Sequence, residues 1–241
     1  MPPLSLRTAA RLLLGVIALA VAFPGAAEQG HAAVAGTWLA DRFPERLLTA
    51  DRKPPPLTDK GAQLYRANLA DRKSEQPQFD RTRWCAGPGV PRIMFMPYPF
   101  QIIVNPKLVG FVYGWYRWHR VVDMSGQPAD PVLPQPMGYP VGHWDGDSLV
   151  IDSNGLTSDT ILDASGLPHS DDMQLSERIE PLSRDRLRIR FRITDPAIYS
   201  RPWETEMTYH RLKRVEVADD ICPDRIERGE PAVAYPRKGP Q

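Results

Sequence analysis

Residues 138–153 read GYPVGHWDGDSLVIDS, and this stretch decides the fold. Asp145-Gly146 is the residue pair that a type I′ turn prefers, because both central residues need positive φ. Its flanks alternate and are rich in β-formers, so two antiparallel strands are expected to leave that turn. With this pair at the tip, Trp144 faces Asp147, His143 faces Ser148 and Val141 faces Val150. One face then carries Val141, His143, Ser148, Val150 and Asp152. The other carries Gly142, Trp144, Asp147, Leu149 and Ile151.

Outward from the hairpin, period-two alternation predicts further strands. They are Arg92–Met96, Phe100–Val104, Leu108–Asp123 (bent at Gly110 and Gly114), Met173–Ile179, Leu187–Thr194 and Trp203–Leu212, beside the hairpin strands Gly138–Trp144 and Asp147–Asp152. In Leu187–Thr194, Leu187, Ile189, Phe191 and Ile193 alternate with Arg188, Arg190 and Arg192, preceded by Arg186. That is a half-buried strand with a solvated face. Eight short strands at hairpin spacing predict an all-β protein with a short N-terminal helix: an antiparallel lipocalin-like barrel, with a β-sandwich as the alternative. Gly36-Thr37-Trp38 matches the G-x-W of the lipocalin first strand. Gly142-His143-Trp144 repeats the triplet, so the triplet alone decides nothing.

The chain before the barrel divides by composition. Residues 1–27 have the layout of a secretory signal: Arg7 and Arg11, an apolar run from Leu12 to Phe23, then small residues ending at Ala27. The apolar run is too short to span a bilayer, and no other stretch could. Residues 28–83 form an N-terminal arm with a proline-rich spacer, Lys53–Leu57, and a helix N-capped by Thr58 that runs to about Arg72. Its apolar stripe is Leu64, Tyr65 and Leu69. Residues 84–225 form the barrel, and 226–241 a disordered tail. Lys and Arg number 30 against 29 Asp and Glu, so no broad field attracts nucleic acid or an anionic membrane. The chain has only two cysteines. In the periplasm or outside the cell, Cys85 and Cys222 are expected to form one disulfide that ties the entrance of the β region to its exit.

Several stretches in order resemble a group of secreted bacterial proteins of unknown function that carry a W-[DE]-G-D-[ST]-L-V-[IV]-D hairpin. They are Pro91-Arg92-Ile93-Met94, Pro97-Tyr98-Pro99-Phe100, Gly142 to Val150, Leu162-Asp163, Pro168-His169-Ser170, Glu177-Arg178, Asp195-Pro196 and Pro202-Trp203. The resemblance covers most of residues 36–225. It implies an exported β-rich protein and carries no activity. This chain departs from the group at Gly114, where an acidic residue is usual, and at Gln174, where histidine is common.

No H-E-x-x-H, G-x-S-x-G, P-loop or dinucleotide fingerprint is present, and no cofactor or metal is expected. Candidate chemistry rests on polar residues of strand faces. In Met173–Ile179, Glu177 shares parity with Met173, Leu175 and Ile179, so it is a buried carboxylate needing a partner. In the long third strand, Phe111, Tyr113 and Trp115 share a face with Arg117 and His119. That is an aromatic wall with a polar end, suited to a small planar or hydrophobic ligand. Trp144 and His169 complete the ligand-binding candidates. His143 and Asp152 share a face but stand about 13 Å apart in the expected register, so they form no direct dyad. The connection Asn154–Asp172 is long enough for a lid, and its Asp163, His169, Asp171 and Asp172 lack an EF-hand order.

The resulting expectation is an exported barrel that binds a small hydrophobic or aromatic molecule in its cavity. The rival is a cofactor-free lyase, hydratase or isomerase with His119, Glu177, His143 and Asp152 as acid–base residues. A structural envelope module is the third reading.

Overall fold

The computed structural model describes residues 31, 33–116, 118–127, 130, 133–213 and 222–229. Nine strands appear among them: β1 (Gly36–Ala40), β2 (Phe100–Val104), β3 (Leu108–Tyr113), β4 (His119–Asp123), β5 (Tyr139–Asp145), β6 (Ser148–Asn154), β7 (Gln174–Ser183), β8 (Arg186–Thr194) and β9 (Trp203–Arg211). They join in sequence order and β9 pairs back to β1, which closes the barrel and excludes the sandwich. Every pairing is antiparallel except β4 with β5. Closure removes the unpaired strand edges that an open sheet would expose.

The two ends of the barrel differ. At one end, short turns join β2 to β3, β5 to β6 and β7 to β8. Three longer connections gather at the other end, 41–99, 155–173 and 195–202, while 124–138 crosses from one end to the other. They carry helix α1 (Asp59–Asp71) and two short 3₁₀ helices, Arg81–Trp84 and Arg92–Phe95. Thr58 caps α1 as expected, its hydroxyl accepting from the Gly61 N–H at 3.1 Å. The buried stripe of α1 differs from the expected one, since Leu64 is exposed and Gly61 packs instead. The short-turn end is covered by the chain just before β1. Trp38 is buried beneath the Arg211 guanidinium, 4.1 Å from its ring, and Arg211 donates to the carbonyls of Ala33 and Ala35. Beside it His31 stacks on Trp144 at 3.8 Å.

Alternation predicts the interior well on the long strands. Leu175 and Ile179 of β7, Leu187, Ile189, Phe191 and Ile193 of β8, and Trp203, Met207 and Tyr209 of β9 are all buried. The arginines of β8 face outward, each with a carboxylate. Arg186 pairs with Asp41 (2.7 Å), Arg188 with Glu180 (2.9 Å), Arg190 with Glu180 (3.3 Å) and Arg192 with Glu204 (2.9 Å). This neutralised wall has no field to hold a polyanion.

Four expectations need correction. The hairpin tip is Gly146-Asp147, because Asp145 pairs with Ser148, Trp144 with Leu149 and His143 with Val150. Only Gly146 of the two takes positive φ (60°), as in a turn with glycine at its first central position. The face assignments survive, since every partner moves by two residues and two steps preserve parity. Second, Arg92–Phe95 is a fully buried 3₁₀ helix inserted at the long-connection end. Phe95 meets Phe191 edge-on at 4.9 Å, and the Met94 carbonyl accepts from the Tyr209 hydroxyl at 3.2 Å. A short apolar run buried on all sides has no period to separate helix from strand. Third, Leu108–Asp123 is a hairpin of β3 and β4 around a turn beginning at Gly114, with Tyr116 at φ 49°. Fourth, β1 lies in the segment assigned to the arm, so the barrel recruits a strand from before residue 84.

Cys85 and Cys222 are disulfide-bonded with Cα atoms 5.6 Å apart, and Cys222 opens helix α2 (Cys222–Glu227). The expected signal segment 1–27 and most of the expected tail lie outside the described residues. Among the described residues, no helix is long and apolar enough to cross a membrane.

Candidate functional site

The turn after β3 determines what faces the interior. Phe111 pairs with Arg120 and Val112 with His119, so Arg120 points inward with Phe111 and Val122 while His119 points out. Arg120 Nη2 lies 2.5 Å from Glu177 Oε2 and donates to Ser153 Oγ at 2.6 Å. Both charged side chains have no exposed surface. Burial works against the guanidinium charge, but Glu177 and Tyr113 beside it outweigh that and raise the Arg120 pKa. Burial likewise holds the Tyr113 phenol protonated far above its usual range. The Phe111 ring lies 5.9 Å from Arg120 Cζ. Arg120 Nε and Nη1 have negligible accessible surface. This centre is a packed pin in the wall of aromatics, not an open binding site.

The expected site residues therefore separate. Phe111, Tyr113 and Trp115 are 0–1 % exposed and form core instead of the lining of an open cavity. Arg117 lies outside the described residues. His119 is exposed on the opposite side of β4 from Glu177, and Trp144 covers the short-turn end. His143 and Asp152 lie exposed on the outer wall, closer than the expected 13 Å. Asp152 faces Val141, which makes His143 its diagonal neighbour at about 7–8 Å. The residue missed by sequence reasoning is Arg120. Its signal was the Arg120–Val122 alternation restarted after a Gly114 turn.

An open cleft of about 580 Å³ lies outside the core, at the β4–β5 seam. Here the barrel wall is held by a single parallel pair, Asp123 with Val141. Two residues shape the seam. Pro140 offers no N–H to a ladder. Gly142 lets the strands touch further along, since a Cβ there would sit 2.7 Å from Val122 Cγ1 and 2.8 Å from Met124 Sδ. Trp118, Met137, Tyr139 and Pro140 line the cleft, His119, Asp123, Gln127 and Gln135 are polar groups along it, and it extends to Arg120. The Trp118 ring is held against Gly87, where a Cβ would approach it to 2.8 Å. It is a fixed aromatic platform.

The connection 154–172 is a packed cap. Leu156, Leu162 and Leu167 are buried. The Asp163 carboxylate accepts from the N–H groups of Leu47, Ser165 and Leu167 at 2.8–3.1 Å, which ties the loop to the arm. Among the described residues, no group of three or more histidine, cysteine or acidic side chains could hold a metal ion. His169 is buried, its Nδ1 donating to the Ser170 carbonyl at 3.0 Å and its Nε2 facing the Thr160 hydroxyl at 2.8 Å. Burial lowers its pKa below 6.5, against the opposing pull of the Ser170 carbonyl, Asp195 and Asp171. A histidine that resists protonation in the folded state stabilises the fold fully above its unfolded pKa, and that contribution is lost as pH falls below 6.5. The expected slope is up to about 1.4 kcal/mol per pH unit. Urea unfolding between pH 7 and pH 5 should show it, and His169→Gln should flatten it. Carboxylates with lowered pKa, such as Asp80, act only below about 3.8.

No family model matches this chain, and neither a characterised protein nor a solved structure is significantly similar to it.

Proposed function

We propose that this chain is an exported β-barrel protein that binds a small hydrophobic or aromatic molecule in the cleft at the β4–β5 seam. The observation that carries this reading is the cleft itself. Its volume is in the range of small-molecule sites, and it is lined by a fixed Trp118 together with Met137 and Pro140, with a few polar groups around them. A planar ligand would lie on the Trp118 ring and turn its polar end to Gln127, Gln135 or His119. The core supports a carrier over an acid–base enzyme, because Glu177 is occupied by Arg120 and is screened from His119 by the barrel wall. The disulfide supports export into an oxidising compartment.

The test uses anilinonaphthalene sulfonate, an aromatic probe with one polar end. The folded protein should bind it saturably at one site. Trp118→Ala should weaken binding at least tenfold while thermal unfolding stays close to wild type. Unchanged binding in that variant would remove the cleft as the ligand site.

A further inference from the structure

The geometry points to a second site, a saccharide-binding cleft on the outer wall of β5–β8. The cleft measures about 560 Å³ and is lined by Tyr139, His143, Asp152, Gln174, Ser176 and Arg192 among others. It shares Tyr139 and Val141 of β5 with the seam cleft, while Asp152, Gln174, Ser176 and Arg192 belong to it alone.

Two features distinguish this corner from the rest of the wall. Elsewhere on the wall, charged neighbours pair with each other: Arg178 with Asp145, Arg188 and Arg190 with Glu180. Within the cleft, His143, Asp152, Gln174 and Ser176 make no side-chain hydrogen bond or ion pair among the described residues. Asp152, Ser176 and Arg192 stand side by side on successive strands. Their backbones are thus spread over two strand spacings, roughly 9–10 Å, and the Arg192 guanidinium turns to Glu204 on the far side.

The donor and acceptor pattern selects the ligand class. Asp152 only accepts, Arg192 only donates, and Gln174 and Ser176 do both. Vicinal hydroxyls on a sugar ring both donate and accept, so adjacent hydroxyls can satisfy Asp152 and Ser176, and a hydroxyl further along a disaccharide can take the remaining donors of Arg192. The Tyr139 ring offers a surface for the apolar face of the sugar. A simple anion would meet Asp152 and a simple cation Arg192. A hydrophobic molecule would strand the polar groups of both. A neutral polyhydroxylated ring meets none of these penalties.

Saturation-transfer NMR on the folded protein with maltose, cellobiose and chitobiose tests the site. At least one disaccharide should receive saturation, and Asp152→Ala or Arg192→Ala should weaken its binding at least tenfold. Both side chains are exposed, so both variants should fold. Trp118→Ala should leave sugar binding unchanged, and Asp152→Ala should leave anilinonaphthalene sulfonate binding unchanged, which keeps the two clefts distinguishable. No transfer to any of the three sugars, or wild-type affinity in both cleft variants, would overturn the proposal.

Discussion

Glu177→Ala is expected to lower stability by roughly 3–5 kcal/mol, because it leaves the Arg120 guanidinium buried without its counter-charge. Neither side chain has exposed surface. Glu177→Gln should also be costly, since it keeps the shape and removes the charge. The informative control is a double replacement, Arg120→Met with Glu177→Leu. An apolar pair of similar volume should recover most of the loss, because the ion pair's own desolvation cost disappears with it. Denaturant unfolding of the four proteins gives the coupling directly. A Glu177→Ala loss below about 1 kcal/mol would show that Arg120 finds solvent, and that the barrel wall opens near it.

Reduction of Cys85–Cys222 should have a comparable effect. The bridge closes a loop with a sequence separation of 137. In the chain-entropy model, releasing so long a loop returns about 5 kcal/mol of freedom to the unfolded chain, an upper figure that residual structure reduces. The double variant Cys85→Ser with Cys222→Ser should therefore unfold at distinctly lower urea concentration than the oxidised protein. Thiol titration of the oxidised protein in denaturant should find no free cysteine. An unchanged urea midpoint in the serine variant would mean that the bridge constrains nothing that unfolding releases.

Local pattern and tertiary pairing contributed separately to this structure. Period-two alternation over β7, β8 and β9 was enough to place Leu187, Ile189, Phe191 and Ile193 inside and the arginines outside, because parity is a property of the strand alone. It also placed Glu177 inside among Leu175 and Ile179, and the hairpin faces held for the same reason. The count of two cysteines identified the disulfide. Where the backbone reverses, parity failed. The Gly114 turn put Arg120 in place of His119 as the inward cation, and no periodicity argument crosses a turn of unknown length. Asp145-Gly146 and Gly146-Asp147 are both acceptable tips locally, and pairing along the full length of β5 and β6 chose the second. The clefts were beyond the sequence for a further reason. Both border β5, whose direction follows from a crossover between the two ends of the barrel. The seam exists because β5 arrives parallel to β4, and the outer cleft because β5 to β8 set Asp152, Ser176 and Arg192 side by side. Residues so far apart in sequence become neighbours only when the strands pair.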